Sequence, residues 1–331
     1  MLDVAIIGAG LMGRWHLATA RRLGARIVAV VDPDAAAATA LARDAPGALT
    51  YPTARAMLSV GGVVAAHVCT PAATHLPIAL ELIGAGVHAL IEKPAVETRD
   101  EAEQLAQAAL AAGVQICPVH QYAFQPALSR AIRRLPALGA LRRIDLDICS
   151  AGAEGGPAAR QTKVLGEILP HPLSIIQRVT PDVALDALDW RTVRAAPGEL
   201  LATADAQGVL ISIFISLDAR PTRFALQLQT RGGTIAIDGF HGFSVELDGQ
   251  VSRVAKITGP FTTAGRTLAA ASANLLGRAA RREGAYVGLR DLTRAFYSAV
   301  RASDPAAQPI SLDAIVAGAA ARETILSGSA P

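Results

Sequence analysis

Val4-Ala5-Ile6-Ile7-Gly8-Ala9-Gly10-Leu11-Met12-Gly13, followed by residues 14–23 and then Arg26-Ile27-Val28-Ala29-Val30-Val31-Asp32, decides the fold. The apolar tetrapeptide suits a buried strand, residues 14–23 suit a helix, and residues 26–31 suit a second strand. A G-x-G-x-x-G is common by itself. Between a strand and a helix, with an acidic residue closing the next strand, it becomes a dinucleotide-binding fingerprint. Gly8 permits the tight turn, Gly10 lacks the Cβ that would hold a pyrophosphate off the backbone, and Gly13 lets the helix lie close to the sheet. The N–H groups of Leu11, Met12 and Gly13 open the helix, where the dipole favours phosphate. Asp32 lies where a carboxylate accepts both ribose hydroxyls of an adenosine.

The same carboxylate selects the cofactor. A 2′-phosphate about 4 Å away, at an effective dielectric of about 20, is repelled by on the order of 4 kcal/mol per charge pair. Pro33 and Asp34 supply no guanidinium to offset this. NAD is therefore expected and NADP disfavoured, unless an arginine from elsewhere, such as Arg14 or Arg43, reaches the site.

With 331 residues the chain has room for two domains of ordinary size. No apolar run reaches the roughly 18–20 residues that span a bilayer. The first strand begins without a basic leader, so no secretory signal is expected. Cys69, Cys117 and Cys149 are odd in number and widely spaced, with neither metal-ligand nor redox-pair spacing. They read as buried free thiols, and the expected setting is the cytoplasm. Net charge is only +3. The densest basic group, Arg278, Arg281 and Arg282, reads as a solvated helix face, without the aromatic platforms of a nucleic-acid binder. Arginines outnumber lysines 28 to 3, so each lysine asks why arginine was not used there.

Along the chain, helices are expected at residues 35–43, 54–59, 76–84 and 98–112, the last opened by the capping box Thr98-Arg99-Asp100-Glu101 and closed by Gly113. Strands are expected at 63–69, 87–91 and 114–119. Such alternation means βαβ units on a mostly parallel sheet. Near His120 the pattern changes. A helix at 121–135 is followed by strands at 142–149, 183–193, 200–204, 209–217, 224–230, 234–238 and 243–247, with hairpin turns at Gly232-Gly233 and Asp248-Gly249. Helices are expected at 172–179, 267–282, 289–302 and 312–326. The fold class is α/β: an N-terminal doubly wound Rossmann domain, residues 1–120, and a C-terminal α+β domain, residues 121–331, with an open, mostly antiparallel sheet.

The fingerprint Gly8–Gly13, the Thr70-Pro71 segment with His75, and above all Gly86-Val87-His88-Ala89-Leu90-Ile91-Glu92-Lys93-Pro94 resemble the Gfo/Idh/MocA oxidoreductases. The order of the second domain is similar as well. The resemblance implies NAD binding through Gly8, Gly10, Leu11, Met12, Gly13, Asp32, Thr70, Pro71, His75, Glu92 and Lys93. The substrate contacts expected are Lys93, Gln121, Tyr122, Glu167 and His171, with Lys163 a further candidate to line the cleft, and the resemblance implies a Lys93-Pro94 peptide that is commonly cis.

Lys93 closes a parallel strand, where open α/β sheets bind ligands, and its ammonium there stabilises negative charge on a reacting oxygen. His171, in Gly166-Glu167-Ile168-Leu169-Pro170-His171-Pro172, resembles the histidine that shares proton transfer with the lysine. A helix beginning at Pro172 would set His171 at a positive dipole end, favouring neutral imidazole. Two departures stand out. Glu167 replaces the family's usual aspartate, and Pro170 disfavours a continuous helix between Glu167 and His171, leaving Glu167 to bind substrate, orient His171 or do neither. Gln121 and Ala123 stand where relatives often carry asparagine and arginine, which argues against the usual sugar contacts. His16, His67, His88 and His241 read as structural. No metal site is expected.

The resulting expectation is hydride transfer between nicotinamide and a secondary alcohol or ketone of a sugar, polyol or related small polar molecule. Two alternatives are a retained-NAD enzyme (elimination, epimerisation or glycoside cleavage) and a non-catalytic NAD-sensing protein. Residues 209–217 are apolar on both alternations, so a homodimer or homotetramer through the C-terminal sheet is expected. Neither nucleic acid nor membrane is an expected partner.

Overall fold

The computed structural model describes residues 1–331 apart from Glu154, Gln250, Val251, Arg282, Ser303, Pro305, Ala306 and residues 329–331. The chain forms two compact units. One is Met1–His120 with Leu289–Ala320; the other is Gln121–Gly288 with Ala321–Pro331.

The first unit runs β1 (Asp3–Ile7), α1 (Leu11–Arg22), β2 (Arg26–Val31), α2 (Ala35–Ala42), β3 (Leu49–Tyr51), α3 (Ala54–Leu58), β4 (Ala65–Val68), α4 (His75–Gly84), β5 (His88–Ile91), α5 (Arg99–Ala112) and β6 (Ile116–Pro118). Its six strands are all parallel, in the order β3-β2-β1-β4-β5-β6. The strand order reverses beside β1, so its carboxyl end and that of β4 flank the crevice where such sheets bind ligands. Ala5, Ile7, Ala66, Val68, Ala89 and Ile91 put small and branched side chains into one core, which α4 and α5 close with Ala79, Leu82, Ala102 and Leu105. The Thr98 capping box and left-handed Gly113 bound α5 as its sequence requires.

The second unit adds α6 (Pro126–Leu138), β7 (Leu141–Cys149), α7 (Ala158–Ile168), α8 (Pro170–Val179), β8 (Arg191–Val193), β9 (Glu199–Ala206), β10 (Val209–Ser216), β11 (Arg223–Thr230), β12 (Gly233–Asp238), β13 (Phe243–Asp248) and α9 (Arg253–Ala280). Its seven strands lie in the order β13-β12-β11-β7-β10-β9-β8, antiparallel except for the β7–β10 pair. Alternate residues of β9 and β11 are buried, as expected of a sheet with one covered face. After α9, α10 (Leu289–Ala302) and most of α11 (Leu312–Ser327) belong to the first unit. α10 buries Leu289, Leu292, Thr293, Phe296, Tyr297, Ala299 and Val300, a single stripe at helical spacing.

Three local expectations are corrected. Residues 183–193 are not one strand: Leu185–Ala187 form a 3-10 turn, and only Arg191–Val193 pair. The buried Trp190 indole donates to the Leu185 carbonyl at 2.9 Å and holds the turn. Asp248-Gly249 leads into α9 rather than a hairpin, because Ser252 caps the Ala255 N–H. That helix starts 14 residues before position 267, running on through Gly259, Pro260 and Gly265; its expected end at Arg282 lies outside the described residues.

Candidate active site

Every first-unit residue singled out from sequence stands on the carboxyl edge of the parallel sheet. Gly8 has φ +99°, and a Cβ there would meet the Cys69 carbonyl oxygen at 2.6 Å. At Gly13 a Cβ would sit 1.9 Å from the Gly8 carbonyl oxygen, so α1 reaches its position only with glycine. Gly10 differs. A Cβ there meets nothing within 4 Å, and Gly10 caps α1 without a side-chain acceptor. Its glycine is therefore not demanded by packing, while the bare backbone and open helix start suit an approaching phosphate. Leu11 is exposed beside it, and Met12 and Gly13 complete the first turn. Asp32 Oδ2 accepts the Ala9 N–H at 2.8 Å, and Oδ1 accepts the Asp34 N–H at 2.9 Å. The carboxylate is thus pinned beside the glycine turn.

Lys93 follows β5, which lies next to β4. The Lys93-Pro94 peptide is cis. His75 is buried, with Nδ1 2.8 Å from the Pro94 carbonyl oxygen and Nε2 2.8 Å from that of Thr70. The ring thereby spans the Thr70-Pro71 turn and the Lys93-Pro94 turn. Thr70 Oγ1 also accepts from Thr74 Oγ1 at 2.8 Å.

Glu92 is buried, and its Oε2 accepts the Lys93 N–H at 3.1 Å. Its Oε1 lies 3.0 Å from His16 Nε2; His16 Nδ1 lies 2.9 Å from His67 Nδ1, and His67 Nε2 2.9 Å from the Tyr297 hydroxyl. Burial pushes Tyr297 above its ordinary range, so it keeps its proton. Burial, then the His16 charge, holds His67 well below its usual value. One order of donation satisfies every link: Tyr297 donates to His67, His67 to His16, and His16 to Glu92. Burial alone would raise the Glu92 carboxyl, but the His16 hydrogen bond and the His16 and Lys93 charges outweigh it and hold the group ionised below its ordinary value.

His120 completes this edge. Val119 N–H donates to the Ile91 carbonyl at 2.8 Å, which sets His120 beside the end of β5. Burial pushes its imidazole down to about 4; Glu92 pulls it up and Lys93 further down. Its Nδ1 is buried without a hydrogen-bond partner among the described residues.

In the second unit, Gln121–Phe124 form a 3-10 turn that packs on α8. This brings Tyr122 against His171, ring centroids 4.7 Å apart and edge-on, and against Phe224 at 4.5 Å. Burial raises the Tyr122 phenol to about 12. The Gln121 side chain is buried, with no hydrogen-bond partner for its Oε1 among the described residues. The expected break before His171 is slight. Leu169 joins α7 to α8 in right-handed helical conformation, and helix resumes at Pro170 rather than Pro172. Pro170 has no N–H for the Gly166 carbonyl, and Arg322 Nε donates to that oxygen instead, at 2.7 Å. Lys163, Glu167 and His171 consequently follow one another at i, i+4 spacing along one face, with Lys163 exposed and the other two half-buried.

Residues 2–120 match the family model described as an oxidoreductase family with an NAD-binding Rossmann fold. Residues 2–120 are thus similar to the NAD-binding Rossmann domain of the Gfo/Idh/MocA oxidoreductase family. Inositol 2-dehydrogenase 4 of Saccharopolyspora erythraea is 27% identical over 263 residues, 75% of this chain and 77% of that protein. The rhizopine catabolism protein MocA of Rhizobium meliloti is 33% identical over 156 residues, 47% of this chain and 48% of that one. Among solved structures, GenD2 from gentamicin A biosynthesis in complex with NAD superposes with TM-score 0.72 at 23% identity, covering 97% of this chain and 92% of that one. An Agrobacterium radiobacter oxidoreductase in complex with NAD+, L-tartaric acid and magnesium gives 0.75 at 14%, covering 98% and 94%. At these identities the superpositions speak for the fold.

The match places an NAD-binding Rossmann unit in residues 2–120, and the residues on its sheet edge fit that cofactor: open backbone at Gly10, an uncapped helix start and an oriented Asp32 carboxylate. Sequence reasoning missed His120 and the His16–His67–Tyr297 chain. The position of His120 at a strand's carboxyl end was a usable signal, whereas no local pattern links His67 to Tyr297, 230 residues away.

Proposed function

We propose that the protein is an NAD-dependent dehydrogenase acting on a secondary alcohol, or the corresponding ketone, of a sugar, polyol or related small polar molecule. The observation that carries this reading is Lys93 at the carboxyl end of β5, next to β4 and two strands from β1 and its glycine turn, in an NAD-binding unit. NAD, when bound, supplies the hydride acceptor or donor at its nicotinamide ring. The protein's own part is positional and electrostatic. Gly10 and the start of α1 receive the diphosphate, and Asp32 the adenosine ribose. Lys93 Nζ donates to the substrate oxygen and steadies the negative charge that develops there. Lys93 and His171 handle the hydroxyl proton, and Glu167, on the face of His171, orients that ring or binds substrate. Gln121, Tyr122 and Lys163 stand as substrate contacts, while His75 and Glu92 fix the turns that carry Thr70-Pro71 and Lys93.

Relatives named for inositol make cyclic polyols the first compounds to test. The outer sheet face of the second unit, with exposed Leu201 and Leu210, supports self-association into a dimer or tetramer. Three free cysteines suit a cytoplasmic setting. The test is absorbance at 340 nm with NAD or NADP across inositols, sugars and polyols. NADH accumulation with NAD and little response with NADP is expected. Turnover of a glycoside or sugar without NADH accumulation would replace net dehydrogenation with internal recycling.

A further inference from the structure

α9 faces the wrong way for a helix that serves only its own domain. None of its 28 residues is buried. The small and polar face, with Ala255, Gly259, Thr263 and Asn274 partly covered, lies toward the sheet, and α9 packs along β13. The large apolar side chains Val254, Ile257, Phe261, Leu268, Leu275 and Leu276 point outward, each 68–77% exposed. Single exposed leucines need no explanation, but a continuous stripe does.

The stripe has a period. Val254, Phe261, Leu268 and Leu275 are seven apart, and Ile257, Ala264 and Ala271 fall three residues after the first three. That is an a/d seam sustained over three heptads, the pattern of a helix that packs on another helix. Alternating large and small seam residues let two such surfaces interlock at a close interaxial distance of about 8–10 Å.

Charge distinguishes the occupant. A helix lying on an anionic lipid surface carries Lys and Arg along the edges of its apolar face. Here the exposed edges carry Thr258, Gly265 and Ser272 on one side and Pro260 on the other, none of them charged. The mid-helix cations turn inward: Arg266 donates to the Glu246 carbonyl at 3.0 Å and Arg278 to the His241 carbonyl at 3.1 Å. Neutral, small edges are what two like-charged copies need in order to approach. The stripe from Val254 to Leu276 runs about 33 Å along a helix about 10–12 Å across, so a helix pair buries on the order of 400 Å² per copy, about half the ~800 Å² per partner of a standard interface, and adds to the sheet-face contact rather than standing alone.

We infer that the outward face of α9 is a self-association surface, occupied by α9 of a second copy of this chain in an isologous helix pair. It is separate from the sheet face. Used together, the two surfaces give a tetramer that falls apart into dimers when either is broken.

The test is molar mass of the full-length protein by light scattering at about 10 µM, for wild type, Phe261→Glu, Leu268→Glu and the off-stripe control Lys256→Glu. Each stripe variant is expected to halve the mass, with Lys256→Glu at the wild-type mass. Because these side chains are already exposed, melting temperatures should stay within a degree or two. Ala264→Cys, near the middle of the seam, should yield a reducible covalent dimer in either helix orientation. A mass that neither stripe variant changes, or no cross-link from Ala264→Cys, overturns the proposal. So does flotation with phosphatidylglycerol vesicles that Leu268→Glu abolishes at unchanged mass, since the stripe then belongs to lipid.

Discussion

At the scale of single residues, the proposed chemistry rests on Lys93, and its neighbours hold the turn that carries it. Lys93→Met is expected to lower kcat by about 10²–10⁴-fold, the usual contribution of one proton-handling group, while NAD affinity changes little. A loss confined to KM would instead make Lys93 a binding residue. Tyr297→Phe removes the outermost donor of the buried chain that ends on Glu92 and leaves His67 Nε2 unsatisfied. It should cost about 1–3 kcal/mol in urea unfolding. The same histidines set an acid limit. His67 and His120 have folded-state values below those of the unfolded chain, so the unfolded form binds protons first. Their contribution is complete above about pH 6.5 and falls away as pH drops, for His120 as it approaches about 4. Urea unfolding at pH 7 and pH 4.5 measures it, and His120→Asn should flatten the slope; equal slopes in wild type and variant would refute this source of acid sensitivity. From sequence, the glycines, Asp32 and Lys93 were legible because each has a local context. The buried chain was not, because it is made only when α10 returns to the first unit.

Elements show why some of the fold was readable and some was not. Parallel strands alternating with capped helices leave an unambiguous pattern in residues 1–120, and the strand order follows it. Two misreadings share one cause: local breakers overruled by their surroundings. Pro170 leaves α7 and α8 nearly continuous because Arg322, 156 residues from Gly166, takes over the freed carbonyl. Gly259, Pro260 and Gly265 hide the first half of α9, which Ser252 nevertheless caps. The glycine turn supplies a paired test at this scale. Gly13→Ala drives a Cβ into the Gly8 carbonyl and should destabilise the first unit by several kcal/mol, or shift α1. Gly10→Ala points its methyl into open space, and its melting curve should overlay that of wild type. If both variants melt alike, the turn is not packed as described.

For the whole molecule, cofactor binding and stability are linked. A ligand that binds only the folded form at 100 times its Kd adds about 2.7 kcal/mol, so saturating NAD should raise the melting temperature by several degrees. NADP at equal concentration should do markedly less, since its 2′-phosphate meets the Asp32 carboxylate. Equal shifts would show that another residue neutralises that phosphate. Fold and cofactor class belong to what the chain shares with its family. The proposed function puts substrate choice in the second unit, where Gln121, Ala123 and Glu167 stand.

Calorimetric titration of NAD into wild type and Gly10→Ala tests the central claim most directly, because this substitution alters the bare backbone beneath the diphosphate without disturbing the fold. Wild type should bind in the micromolar to low-millimolar range, and Gly10→Ala at least about tenfold more weakly at an unchanged melting temperature. Equal affinity in the two proteins would contradict the placement of the cofactor on the first unit's glycine turn, and with it the role assigned to Lys93.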